Sequence, residues 1–295
     1  MKKIAVLLAA FNGERWLNEQ INSILNQRGV DITIFISVDY SDDNSFELCS
    51  DLSKKNNKIQ VLSYGERFGG AGKNFFRLIC DVNLDDFDYV SFSDQDDIWL
   101  DDKLYRACLI LDKYDVYSSN VIAFWPTGKK ILINKAQPQV EFDYLFESAG
   151  PGCTFVFDIK CAKMFRAFLE DKHKEVELVA LHDWLFYAFA RANDFSWYID
   201  SKPSMLYRQH ANNQVGANNS LKAIFKRLKL IKSKWYSNQI NKIADLLYDT
   251  DIPFRYYLKS NNYFKKLNLL RYITKLRRKT KDKILLCIVI ILGLF

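Results

Sequence analysis

Apolar residues in the first half of the chain alternate between continuous runs and runs with helical spacing. The segment 3–10 is almost wholly apolar, which is typical of a strand that is buried on both faces. The next segment, 14–27, carries its apolar side chains at helical spacing. This alternation predicts an α/β fold with a mainly parallel, Rossmann-like central sheet and helices on both of its faces. The further strands and helices of this half are predicted at 31–38, 41–55, 58–63, 73–82 and 89–93.

The second half of the chain has a mixed pattern that gives way to a helical and strongly basic one. From Leu221 onward, lysine and arginine residues are interleaved with Leu, Ile and Phe. We therefore predict an α/β domain at 1–220 and a basic α-helical extension at 221–295. The elements predicted between them are short strands at 121–125, 154–158 and 205–207 and helices at 161–172 and 179–192.

Composition and cysteine usage are those of a folded protein in a reducing compartment. Apolar residues make up 49% of the 295 residues, enough for a substantial core. The six cysteines are scattered without a C-x-x-C pair, which favours reduced thiols in the cytosol. The short apolar run near Met1 has no clear cleavage site and leads directly into a helical pattern. We interpret it as a buried first strand rather than as a signal peptide.

Charge is distributed unevenly along the chain. Residues 221–295 hold 18 Lys and Arg against 4 Asp and Glu, whereas residues 1–220 are net acidic. A basic segment of this kind suits an anionic surface. Nucleic acid is one possible partner of the basic segment. Only the charge supports it, and we do not expect it. Membrane lipid fits better, because the chain ends in the uncharged run 284–295, which is too short to span a bilayer but can lie in its interface.

This interpretation places the basic residues before the apolar run against anionic headgroups. The alternative is that the apolar run docks on the protein's own core or on a partner subunit. The basic residues in question are Arg277, Arg278, Lys279, Lys281 and Lys283.

An acidic cluster, Asp94-Gln95-Asp96-Asp97, directly follows the predicted strand 89–93. Crowded carboxylates repel one another unless a cation or hydrogen-bond donors compensate them, and Mg²⁺ and Mn²⁺ prefer carboxylate oxygen. A solvated turn that caps a helix beginning near Trp99 is the alternative. Asn12 and Asp39 also follow strands of the predicted parallel sheet, and ligands of such sheets bind outside the carboxyl ends of the strands. The three polar features therefore predict a single binding site.

Five motifs occur along the chain in a fixed order. They are Val6–Gly13, Asp39 with Ser41 and Asp43, Asp94–Trp99, His182–Trp184 and Tyr207–His210. As an ordered set they resemble those of bacterial glycosyltransferases of family 2, which have the GT-A nucleotide-sugar-binding fold. The resemblance is greatest to rhamnosyltransferase-type members that build O-antigen and cell-wall polysaccharide. It covers residues 1 to about 216.

The resemblance implies a divalent metal, Mg²⁺ or Mn²⁺, at the diphosphate of a nucleotide-sugar donor. It assigns Asp96 to direct metal contact and His210 to the metal or the diphosphate, although a hydrogen-bonded loop histidine fits His210 equally. Asp94 is expected on the ribose or on the metal through water. The other implied donor contacts are Ala10, Phe11, Asn12, Asp39 and Gln95.

The resemblance also implies a general base at the head of a helix in the second half of the domain, and Asp183 matches that position. His182 would be a helper of Asp183 or an ordinary first-turn residue. Gly150–Cys153 would border the acceptor, and Asn212–Gly216 would form a loop over the donor. Asp97 would either join the site or cap the next helix.

Three positions depart from the family pattern around the nucleoside. Val38 replaces the first acid of the usual Asp pair, Tyr40 replaces a glycine, and Ala10 stands where many relatives have Thr. The sequence therefore does not separate thymine from uracil.

The function that these residues predict is inverting, metal-dependent glycosyl transfer, most simply of rhamnose from dTDP-rhamnose to a lipid-linked or cell-surface polysaccharide acceptor. The protein would work in the cytoplasm, peripherally on the inner face of the bacterial cell membrane. A UDP-hexose-dependent transferase and a non-catalytic partner subunit with the same fold are the alternatives. Homo-oligomer formation stays open.

Overall fold

Two β-sheets form the frame of the protein, as described by a computed structural model that covers residues 1–210, 229–230 and 232–295. The larger sheet has seven strands. In spatial order they are β10 (Trp197–Asp200), β6 (Val116–Ser119), β9 (Val156–Asp158), β4 (Tyr89–Ser93), β1 (Lys2–Ala10), β2 (Val30–Val38) and β3 (Ile59–Val61). The smaller sheet contains β5 (Ile98–Trp99), β11 (Met205–Arg208), β7 (Val121–Phe124) and β8 (Lys130–Ile133).

The central strand β1 explains the parallel character of the larger sheet. It pairs in parallel with β2 on one side and with β4 on the other, while β9 runs antiparallel to β4. Opposite Ala10 lies Val38, and opposite Leu8 lies Ser93, so the carboxyl ends of three strands meet at one edge. The prediction of a mainly parallel sheet is confirmed.

Side chains of β1 alternate between two apolar cores, as expected for a strand covered on both faces. Ala5 and Leu7 point into a core shared with α3 (Ala71–Asp81), and Val6 and Leu8 into a core shared with α1 (Glu14–Leu25). The remaining helices of the first part of the chain are α2 (Ser45–Lys55), α4 (Lys103–Leu111), α5 (Ile159–Asp171), α6 (His173–Val176) and α7 (His182–Ala192).

The prediction of a helix that begins near Trp99 is wrong. Ile98 and Trp99 form β5, which pairs antiparallel with β11, and α4 begins only at Lys103. Trp99 is buried, and its backbone N–H donates to the hydroxyl of Ser23 on α1. A two-residue strand of this kind depends on a partner about a hundred residues later, so the local pattern could not reveal it.

The C-terminal part contributes helices that share the core of the first part. Its elements are α8 (Trp235–Leu246), α9 (Arg255–Lys259), α10 (Tyr263–Lys266), α11 (Ile273–Leu276) and α12 (Thr280–Ile291). Leu286 and Ile290 of α12 belong to the same buried cluster as Phe155 and Trp184, and the terminal Phe295 stacks on Phe146. The division into parts at residue 220 stays a prediction. Within the described residues, no helix is both long and apolar enough to cross a membrane.

Arg277 and Arg278 do not face outward, so their assignment to lipid headgroups is wrong. The side chain of Arg278 is fully buried and donates to Glu147 at 3.2 Å and to the carbonyl of Ser148 at 2.6 Å. Arg277 donates to the carbonyl of Phe146. Although burial opposes its ionisation, the charges of both arginines hold the pKa of Glu147 below its usual value. These contacts fix residues 277–278 to the segment 146–148.

Replacing Arg278 with methionine should lower the free energy of unfolding by about 3 kcal/mol, because it leaves the buried carboxylate of Glu147 short of a partner. Urea denaturation measures this change. Lys275→Met is the matched control, since it breaks an exposed ion pair with Glu141 and should cost less than about 1 kcal/mol. Equal effects of the two substitutions would contradict a special contribution from the buried pair.

Candidate active site

A cavity of about 540 Å³ opens at the carboxyl ends of the central strands. All nine residues predicted as donor, metal or catalytic groups line it. The structure therefore brings together side chains that lie as far apart in the sequence as Ala10 and His210, while their individual roles stay predictions. The predicted donor loop 212–216 lies outside the described residues.

Asp39 organises the glycine-rich turn on one wall of this cavity. Its carboxylate accepts from the backbone N–H groups of Phe68 at 2.8 Å and Gly69 at 3.0 Å. Gly69 has φ near +79°, a conformation that favours glycine, and Gly69 and Gly70 both line the cavity. A ligand at this wall therefore meets backbone as well as the edge of Asp39.

Gln95 and Asn12 hold the loop after β1. The side-chain amide of Gln95 accepts from the N–H of Phe11 and donates to its carbonyl. Asn12, with φ of 47°, accepts from the N–H of Asp42 through its side-chain oxygen. Both residues line the cavity, but these hydrogen bonds also give them a structural role in shaping the loop that carries Ala10 and Phe11.

Asp96 and His210 form a pair at the cavity. Asp96 Oδ2 lies 2.6 Å from His210 Nε2, and the imidazole stacks on Trp16 with ring centroids 4.3 Å apart. Two carboxylates, Asp94 and Asp96, and one imidazole thus face the cavity together. Carboxylate oxygen and imidazole nitrogen are ligand types that Mg²⁺ and Mn²⁺ accept, so these side chains are candidates to hold such an ion beside a diphosphate.

A second acidic group lies behind that pair. Ligand atoms of Asp94, Asp97 and Cys153 all fall within 4.8 Å of one another. Asp97 and Cys153 do not line the cavity, and burial keeps the pKa of the Cys153 thiol well above its usual value, so a neutral thiol is present there. These features make the inner group a poor site for a hard cation although its ligand atoms converge, and the cavity-facing set is the one that a ligand can reach.

Asp97 is not a helix cap. Its Oδ1 accepts from the backbone N–H of Arg208 at 3.0 Å, and Asp102 occupies the N-cap position of α4. Burial, and then the charges of Asp96 and Asp94, raise the pKa of Asp97 well above its usual value. Asp97 therefore supports the strand β11 from inside the protein.

Lys103 lies fully buried beneath this acidic turn, and sequence reasoning missed it. Its ammonium donates to the carbonyl of Cys153 at 2.7 Å and lies 3.1 Å from the centre of the Trp99 ring. Burial lowers the pKa of Lys103 to about 7, against the opposing charges of Asp97 and Asp94. One signal was available, since Lys103 shares the buried helical spacing of Ala107 and Leu111.

Asp183 stands in the first turn of α7, where the helix dipole favours an acid. The indole N–H of the next residue, Trp184, donates to the carbonyl of Tyr144 and fixes this end of the helix. Burial raises the pKa of Asp183 to about 6, while the N–H of Trp184 and the charge of Lys135 oppose the shift. A carboxylate that is ionised near neutral pH and yet close to its pKa suits a general base.

His182 is a neutral neighbour of Asp183. Burial lowers its pKa to about 3, and its ring stacks on Phe75 with centroids 4.2 Å apart. Its Nε2 faces Gly152, where an added Cβ would lie 2.6 Å away and 3.1 Å from the Cβ of Asp183. The imidazole therefore packs between α3 and the Gly152 turn, which predicts that the turn must stay free of a side chain.

Replacing Gly152 with alanine should lower the rate of the predicted glycosyl transfer by about tenfold or more, because the methyl group pushes His182 and the adjoining Asp183 out of place. Gly72→Ala is the matched control. It adds a methyl 3.7 Å from the Cβ of the same His182, an ordinary contact, and should leave the rate unchanged. Initial rates of the two variants measure this effect. Equal slowing by both substitutions would contradict the role given to the Gly152 turn.

The fold and this site define a class of enzyme. The family model for glycosyl transferase family 2 matches residues 5–173. The chain belongs to this family and is a glycosyltransferase that uses a nucleotide sugar.

The chain is also similar to individual proteins of known name and to solved structures. The chain is 48% identical over 291 residues to the dTDP-rhamnosyl transferase RfbG of Shigella flexneri. The aligned region covers 98% of this chain and 100% of that protein. Among solved structures, S. aureus TarS 1-349 matches with a TM-score of 0.59 at 15% identity, over 99% of this chain and 81% of that one. The mannosyltransferase PcManGT from Pyrobaculum calidifontis, in complex with GDP-Man and Mn²⁺, matches with a TM-score of 0.52 at 13% identity. This match covers 99% of this chain and 80% of that one. The two solved structures share the GT-A fold with this chain.

Proposed function

We propose that this enzyme transfers rhamnose from dTDP-rhamnose with inversion at the anomeric carbon. The similarity to a dTDP-rhamnosyl transferase over nearly the whole chain supports the donor. The observation that carries the mechanism is that Asp183 and the Asp96–His210 pair line the same cavity. A candidate base and a candidate metal site therefore face one bound donor.

Departure of the sugar leaves negative charge on the β-phosphate of the nucleoside diphosphate. Asp96 and His210, with Asp94 on the ribose or through water, would hold a divalent metal there, which would supply Lewis-acid stabilisation of that charge. Asp39 holds the turn at Gly69 against the cavity, so the nucleotide would meet a wall fixed by hydrogen bonds rather than a mobile loop.

Asp183 would accept the proton of the acceptor hydroxyl as its oxygen attacks the anomeric carbon. The packing of His182 against Phe75 and the hydrogen bond from Trp184 orient the carboxylate without adding a charge. In this arrangement the turn at Gly152, which approaches both His182 and Asp183, borders the acceptor.

The acceptor would be a lipid-linked or cell-surface polysaccharide precursor, and the enzyme would act on the cytoplasmic face of the bacterial membrane. A UDP-hexose is the alternative donor, because Ala10, Val38 and Tyr40 leave the family pattern where the base is bound.

A donor screen by thermal unfolding tests the proposal. We expect dTDP-rhamnose with Mn²⁺ or Mg²⁺ to raise Tm more than UDP-sugars do, since a ligand at 100 times its Kd stabilises the native state by about 2.7 kcal/mol. Release of dTDP with acceptor present would then show turnover. A larger shift with a UDP-sugar would overturn the donor assignment, and binding without turnover would overturn the catalytic one.

A further inference from the structure

The last helix of the protein has two apolar faces, and only one of them is packed. Leu286, Val289 and Ile290 are buried in the core. On the other side, five aliphatic side chains are each between 47% and 64% exposed. Four of them lie three or four residues before or after the fifth, Ile288, so the five form a single stripe along α12. The members of this outer stripe are Ile284, Leu285, Ile288, Ile291 and Leu292.

Two aromatic residues of α10 extend the outer stripe sideways. The hydroxyl of Tyr263 donates to the carbonyl of Ile291 at 2.7 Å, and its ring lies 3.5 Å from where a Cβ on Gly293 would stand. The neighbouring Phe264 packs edge-on against Tyr263 and is 74% exposed. The exposed apolar surface is therefore one continuous area across two helices rather than isolated side chains.

Positive charge borders this area. Lys281 lies on the same face of α12 as the outer stripe, three residues before Ile284, and is exposed. Lys265 is exposed beside Phe264 on α10. Within the described ranges, neither of these two lysines makes an ion pair with an acid. An apolar stripe with aromatic and lysine neighbours has the composition of helices that lie in a membrane interface.

We propose that the outer stripe, together with Tyr263 and Phe264, docks flat on an anionic membrane surface. This inference rests on the peripheral location proposed above, but not on the identity of the donor or the acceptor. Because the inner face of α12 is packed on the core and Phe295 is buried, the helix would lie parallel to the surface and could not insert end-on. Lysine at the border favours anionic lipid over a second copy of this basic part of the chain, which would bring like charges together.

Co-sedimentation of the full chain with vesicles tests this surface. We expect binding to phosphatidylcholine vesicles that contain phosphatidylglycerol, and weaker binding to phosphatidylcholine alone or at high salt. The double substitution Ile288→Glu and Ile291→Glu should reduce the bound fraction by about tenfold or more. Lys281→Glu should remove much of the vesicle binding that is sensitive to salt. Leu132→Glu is the matched control, since Leu132 is 53% exposed on β8, and it should bind as the parent protein does.

Two further measurements separate the outcomes. The Tm shift produced by dTDP must be equal in the parent and the Ile288/Ile291 variant, which shows that the fold and the donor site are intact while the membrane surface is lost. Unchanged vesicle binding by this variant would overturn the proposal. So would a parent protein that is dimeric by light scattering and becomes monomeric on the same substitutions, since the occupant would then be a second copy.

Discussion

Replacing Asp183 with asparagine should lower the rate of sugar transfer by about 10²- to 10⁴-fold, the usual contribution of a general base. The amide has nearly the same shape but cannot accept the proton of the acceptor hydroxyl. Donor binding should persist, because Asp183 sits at the Gly152 turn and not at the Asp96–His210 pair. Single-turnover rates and a dTDP-rhamnose titration measure the two quantities separately.

The same substitution should stabilise the protein. Burial raises the pKa of Asp183 to about 6, so ionising it in the folded state costs free energy that the unfolded chain does not pay. The contribution of this group to stability is therefore full below the unfolded pKa and is lost as the pH rises through 6. Asp183→Asn should recover up to about 3 kcal/mol at neutral pH, seen as a higher Tm.

The transfer rate should depend on pH with the opposite sign to the stability. The transfer rate of the parent should rise as pH increases through about 6, because only the carboxylate form of Asp183 accepts a proton. Asp171→Asn, an exposed acid at the end of α5, is the control and should change neither rate nor Tm appreciably. An Asp183→Asn enzyme that keeps its rate would overturn the assignment of the base.

Replacing Asp96 with asparagine should lower metal-stimulated transfer by about 10²- to 10³-fold, since the charge that develops on the leaving diphosphate loses its stabilisation. The substitution removes one carboxylate of the cavity-facing set and the partner of His210 at 2.6 Å. The Mn²⁺-dependent part of the Tm shift with dTDP-rhamnose should disappear as well.

Asp97→Asn provides a sharp control for this prediction, because it changes the adjacent residue without touching the cavity lining. Burial, and then the charges of Asp96 and Asp94, raise the pKa of Asp97 well above its usual value, so the amide removes a charge that burial already disfavours. Metal dependence should survive in Asp97→Asn and be lost in Asp96→Asn. The opposite result would move the metal site to the inner group with Cys153.

The first half of the fold could be predicted from the sequence because each of its strands and helices has a recognisable pattern in its own segment. The four leading strands are all rich in apolar residues, and the register of β1 with its neighbours brings Phe11, Asp39 and Asp94 to one edge. The helix predicted at 14–27 ends at Leu25, and the strand predicted at 58–63 is shortened to Ile59–Val61. These are small differences at element ends.

The parts that could not be predicted depend on contacts between distant segments. The small sheet joins β5 to β11 across more than a hundred residues, with too few residues in β5 for any periodicity. Lys103 and Arg278 look like surface cations in the sequence, yet each is buried and donates to a backbone carbonyl of a distant segment. A charge pattern alone cannot distinguish a cation in water from one that is paired inside the protein.

The ion pair between Arg278 and Glu147 has a consequence for how such enzymes exchange parts during evolution. Arg278 also holds the carbonyl of Ser148, four residues before Gly152 at the wall of the cavity. A recombination event that brought in a foreign C-terminal segment would therefore alter the support of the acceptor side as well. We expect an acid at 147 and an arginine at 278 to be inherited together among relatives, and hybrids that separate them to lose activity unless both halves of the pair come from one parent.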